Sequence, residues 1–199
     1  MRSRARLASP VAFAAATMVL LTACQQSKDP PVNKAPISSV AAPPYICEVI
    51  PLDAVQLMTG VPDPVVGGKF DMTVGAEMNG KPWGSGGCFA YRPTGDKPKV
   101  LEVTLSPDGT KDEVEYRIRK GAARLPEIVP GANGFYFQDG SAGNTQAAAV
   151  LVHGYDRVIV QLVRGVKGRD NAADVVALMK LVAPKLILDA TPAPEKTKD

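Results

Sequence analysis

The 199-residue sequence holds one histidine, one tryptophan and three cysteines, and only 6% of it is aromatic. Each scarcity closes off a class of chemistry. His153 alone allows no His-Glu-x-x-His pair, and once Cys24 is set aside for lipid, two cysteines with one histidine make a poor zinc site. A nucleophile activated by a histidine base would depend on His153, and no Ser-x-x-Lys stands in a helical setting. That residue ends an apolar strand pattern and reads as structural or surface-facing before catalytic. Gly84-Ser85-Gly86-Gly87 is not a nucleophile elbow, because Trp83 stands where the first glycine belongs. It is not a phosphate loop either, since no Gly-Lys-Ser/Thr follows. We read it as a flexible turn that lets Cys88 reach a partner. No cofactor and no metal are implied.

Long apolar runs are also missing. The apolar run Leu7 to Leu21, which carries no charge, falls short of the roughly 20 apolar residues needed to span a bilayer. It follows Arg2, Arg4 and Arg6 and ends in Leu21-Thr22-Ala23-Cys24. A basic start, an apolar middle and a small residue at the end read as an export signal. The last four residues resemble the lipobox of bacterial lipoproteins. That resemblance implies cleavage before Cys24 and a diacylglyceryl group on its sulfur. Two acyl chains suffice for stable tethering, whereas one binds marginally. The alternative is a plain export signal with an incidental cysteine.

The formal net charge of +3 comes from the same segment. Without Arg2, Arg4 and Arg6 the chain has 20 Lys+Arg against 20 Asp+Glu. A neutral exported chain gives no ground for nucleic-acid binding. If Cys24 carries lipid, Cys47 and Cys88 remain, and an oxidising compartment favours joining them.

Composition divides the chain into a signal (1–23), a proline-rich tether (24–44), a folded α+β domain (45–188) and a tail expected to be disordered (189–199). Residues 25–44 hold five prolines. Extended, they would hold the domain up to about 60 Å from the membrane. Within the domain, Leu52 to Thr59 reads as a short helix closed by Gly60. Residues 61–87 read as irregular, with room for a hairpin around Lys69–Val74. Strands are expected at 88–92, 100–105, 135–138, 147–153 and 157–164, the last of them central. A middle helix starts from the Thr110/Glu113 capping spacing and carries Val114, Ile118, Ala122 and Leu125 on one stripe. Glu113–Arg117 and Glu115–Arg119 are spaced to pair on its outside. The closing amphipathic helix runs from Ala172, with its apolar repeat reaching Leu186, and Pro184 either kinks it or stops it near Val182. This order predicts an α+β domain: one antiparallel sheet of about five strands with three helices packed on it.

The opening Cys47-Glu-Val-Ile-Pro-Leu-Asp-Ala-Val-Gln-Leu-Met-Thr-Gly60, together with Cys88-Phe89, Pro130-Gly131 and Phe135-Tyr136, resembles an actinobacterial lipoprotein family. The domain its members share has no established activity. Ala90 stands where that family often has tryptophan, and Pro51 where it favours serine or threonine. The resemblance implies a lipoprotein of the cell envelope.

Three groups remain as candidates. Trp83, in a long loop, is either an interface anchor or a lid over the two cysteines. Arg164, Lys167 and Arg169 precede the last helix and form either an anion site or a solvated basic turn. Asp63, Asp71 and Glu77 are acids of the 61–87 loop, solvated by default. The expectation is a lipid-anchored binding or interaction domain on the extracytoplasmic face of the cell membrane. It is tethered through Cys24 and takes an envelope protein or a small ligand. The alternatives are a hydrolase using carboxylates, or a structural or inhibitory envelope partner.

Overall fold

The computed structural model describes residues 31–74, 84–139 and 145–187. From Val32 onward they belong to one unit, built on a seven-stranded antiparallel sheet and a separate two-stranded one. The elements run β1 (Tyr45–Ile46), β2 (Ile50–Pro51), α1 (Leu52–Thr59), β3 (Val65–Asp71), β4 (Ser85–Tyr91), β5 (Lys99–Ser106), α2 (Lys111–Arg119), β6 (Ala123–Arg124), β7 (Asn133–Gln138), β8 (Ala147–His153), β9 (Asp156–Leu162) and α3 (Asn171–Leu186). The α+β class with three helices is as expected, but the main sheet has seven strands, not five, in the order β3-β4-β5-β9-β8-β7-β6. β9 is the middle strand.

The two extra strands lie at the edges, where the sequence pattern is weakest. β3 reads Val-Val-Gly-Gly-Lys-Phe-Asp, with no alternation to reveal it. It pairs with Ser85–Tyr91, so the glycines from Gly84 onward open a strand and not the flexible turn expected there. A side chain on Gly68 would place its Cβ 2.1 Å from the Gly87 carbonyl oxygen, and one on Gly86 would lie 2.3 Å from that of Lys69. Both residues also have positive φ, +92° and +131°. Glycine here permits close backbone approach, not a turn. β6 has only two residues.

One face of the sheet makes the main core. Leu101, Val103 and Leu105 of β5, Val158, Val160 and Leu162 of β9, and Leu151 of β8 alternate inward onto α1 and α3. From α3 come Val175, Leu178, Met179 and Val182, all fully buried. Pro184 does not end this helix, which continues to Leu186. Proline there removes one hydrogen bond, but Ala183 and Leu186 are buried and hold the last turn against the core.

The opposite face is covered over part of its area by α2. Val114 is buried there with Phe135, Val150 and Val152, and Ile118 and Ala122 pack alongside. Leu125, expected on the same stripe, lies in the main core instead. The helix ends at Arg119, and the chain then crosses the sheet edge as β6. The expected ion pairs within the helix are replaced by longer-range ones. Glu115 holds Arg124 at 3.0 Å, and Glu113 holds Arg157 at 3.3 Å. The Thr110 hydroxyl accepts the Glu113 amide at 3.2 Å, as the capping spacing predicts. Thr110→Ala should therefore cost about 1 kcal/mol in urea unfolding, with the slope unchanged.

Two features tie the N-terminal part to the sheet. Cys47 and Cys88 form a disulfide, with Cα atoms 6.0 Å apart, so the expected pairing is present. Cys47 and Glu48 sit in the turn between β1 and β2 with φ of 44° and 68°, a left-handed conformation unusual for non-glycine residues. The second tie involves residues 32–44, whose prolines read as tether. They lie on the domain as a strap. Ile37 is buried, Pro44 accepts the Leu52 amide, and Arg169 donates to the carbonyls of Asn33 and Ala35.

Candidate binding surface

Strand register places side chains in rows across the sheet. The row Gly67, Phe89, Glu102, Gln161, Ala148, Phe137 crosses six strands, from β3 to β7, on the face that α2 only partly covers. Its next row, Lys69, Gly87, Thr104, Ile159, Val150 and Phe135, passes under α2 at the Phe135 end. Among the described residues the first row is left as a shelf. At about 4.8 Å per strand, Phe89 and Phe137 stand some 19 Å apart.

The shelf is aromatic at both ends and polar in the middle. Phe137 is 45% exposed, and its ring stacks on buried Phe135 with centroids 6.4 Å apart. Phe89 lies under the Lys99 ammonium, 5.0 Å from its ring centroid. Lys99 in turn holds Glu102 at 2.6 Å. Gln161 is exposed between them, and Ala148, buried, lies next to Phe137 in the row. Fixed aromatic rings with hydrogen-bonding groups between them suit recognition of an extended partner.

A groove of about 680 Å³ lies on the other face, between α3 and the β6–β7 edge. Tyr136, Leu125 and the small residues Ala173, Val176 and Ala177 line it, with Arg124 and Lys180 at its rim. Its one carboxylate, Asp170, accepts the Ala173 amide at 2.9 Å and so serves as the helix cap. Acid–base work by a carboxylate pair needs a second acid facing the first, and the groove lining has none.

The other residues singled out from sequence fall in separate places. Cys24, Trp83 and Glu77 lie outside the described residues. His153 ends β8, half-buried, in register with Asp156 across the turn. Asp63 and Asp71 are exposed. The Asp71 carboxylate accepts both the backbone amide and the hydroxyl of Thr73, which hold its pKa below the usual 3.8. Asp108 and Glu113 do converge, but on Arg157, at 2.7 and 3.3 Å. The arginine between them makes a clamp for the start of α2. Among the described residues no three His, Cys, Asp or Glu side chains gather to hold a metal, and no helix is long and apolar enough to cross a membrane.

Arg169 is not available to an anion. It is 9% exposed, and its guanidinium meets Asp174 at 2.6 and 2.8 Å. The shelf itself was not foreseen. Phe89 and Phe137 are 48 positions apart in the chain, and only the register of five strands puts them in one row.

Comparisons with protein families, with curated proteins and with solved structures returned no match.

Proposed function

We propose that this protein is a lipid-anchored domain of the extracytoplasmic membrane face that binds an envelope protein or ligand across the Phe89–Phe137 shelf. The observation that carries the binding part is the sheet face that the described residues leave open beyond α2, with an exposed aromatic stacked on a buried one. The anchoring part rests on the sequence around Cys24 and on the resemblance to the actinobacterial lipoprotein family. The groove supports binding over hydrolysis, since its single acid is already a helix cap.

A photoreactive residue in place of Gln161, introduced in the native host, tests the binding reading. A discrete crosslinked partner is expected, and Phe137→Ser with Phe89→Ser should lower its yield at least tenfold, because aromatic anchors dominate such contacts. An undiminished yield in that double variant would reject the shelf. Substrate turnover that disappears on changing one acid would reject the binding reading.

A further inference from the structure

Arg164, Lys167 and Arg169 are neighbours in sequence, but the fold separates their roles. Arg169 is buried and occupied by Asp174 and the strap carbonyls. Arg164 and Lys167 stay exposed. The strap held by Arg169 brings a third cation to the same place. Lys34 is exposed between the two carbonyls that Arg169 binds. One position before Asn33, the Val32 side chain lies 4.0 Å from where a Cβ on Gly168 would stand. Lys34, Arg164 and Lys167 have no ion pair among the described residues. Neither the strap, residues 32–44, nor the loop 163–169 contains an aspartate or glutamate.

The surroundings are consistent with a basic end. Arg92 and Lys97 are exposed on the β4–β5 turn, at the end of the sheet where the Val163 and Arg164 amides bond the Val100 carbonyl. The acids of that end are Asp63, Asp96, Asp139 and the cap Asp170. The opposite end carries Asp71, Asp108, Asp112, Glu113 and Asp156 against Lys69, Lys111 and Arg157, with Asp108 and Glu113 paired to Arg157. Charge is therefore polarised along the strands.

We infer that the patch of Lys34, Arg164 and Lys167 docks on anionic lipid headgroups and sets which end of the domain faces the membrane. The inference deepens the anchoring reading above and rests on it. The length of chain before the strap makes lipid the occupant. Seven residues lie between Cys24 and Val32, and the eight steps reach at most about 29 Å. The strap is clasped beside the patch, so the strap's first residue, Val32, lies next to the loop that carries Lys167. Each basic side chain near an anionic surface contributes roughly fivefold to binding.

The mature chain from residue 24 with Cys24→Ser separates the patch from the lipid. Co-sedimentation with phosphatidylglycerol/phosphatidylcholine vesicles at low salt should show binding. It should fall roughly a hundredfold in Lys34→Gln/Arg164→Gln/Lys167→Gln and disappear at high ionic strength. Lys111→Gln, at the other end, should leave it unchanged. Equal sedimentation with pure phosphatidylcholine, or a triple variant that binds as before, would overturn the inference. Displacement by inorganic phosphate at constant ionic strength would also overturn it, showing a free-anion site in place of a surface contact. The mass of the residue at position 24 in host-derived protein reports acylation separately. An unmodified Cys24 sinks the anchoring reading without changing what the vesicles show.

Discussion

Replacing Cys47 and Cys88 together by alanine should destabilise the domain by about 4 kcal/mol. The two residues are 41 positions apart, so the bond removes much of the freedom of the unfolded chain. It also joins the β1–β2 turn to β4. That turn holds Cys47 and Glu48 at positive φ, a conformation the surrounding structure must impose. The loss is a large share of the 5–15 kcal/mol available to a domain of this size. A fall in melting temperature of about 8–16 °C is expected. Thermal melts of both proteins with and without reductant check the result. Reduced wild type and the double variant should melt together. A double variant within 1 kcal/mol of the oxidised wild type would show that the fold does not depend on the bond.

Arg169→Ala should have an effect of similar size, on the order of 3–5 kcal/mol. It leaves the Asp174 carboxylate buried, with side-chain exposure of 5%, without its cation. It also frees the carbonyls of Asn33 and Ala35. The cost belongs to the charge left behind more than to the attraction lost. Arg169→Met/Asp174→Leu should therefore recover more than half of the stability, because well-packed apolar pairs replace buried ion pairs at little loss. It should not restore the strap, which needs the guanidinium. Limited proteolysis between residues 32 and 44 should speed up at least tenfold in both variants, which distinguishes clasping from stability. A single variant that unfolds within 1 kcal/mol of wild type, with its strap still protected, would contradict this account.

Where local signals were strong, the sequence reading and the structure agree. Leu52–Thr59 with Gly60, the Thr110 cap and the alternation of Leu101, Val103 and Leu105 each follow from neighbours in the chain. The middle position of β9 was legible because it is apolar on much of both faces. The misses share one cause, which is that the deciding partner is distant in sequence. β3 is a strand because β4 lies against it, and its glycines are there for that contact. Leu125 left the α2 stripe because the chain turns across the sheet edge before it. Glu113 and Glu115 found Arg157 and Arg124 across space, where helical spacing pointed to Arg117 and Arg119. The prolines of residues 36, 43 and 44 concealed the strap, whose clasp spans more than 130 positions.

The amino-acid sequence alone determined the α+β class, three helices and the two cysteines worth pairing, since periodicity, capping and thiol count act locally or by composition. The tertiary structure decided the seven-strand order, the aromatic shelf and the division of three basic residues into one buried clasp and two exposed charges. Register and burial are properties of several segments at once. No single segment carries them, so they appear only when the strands are laid side by side.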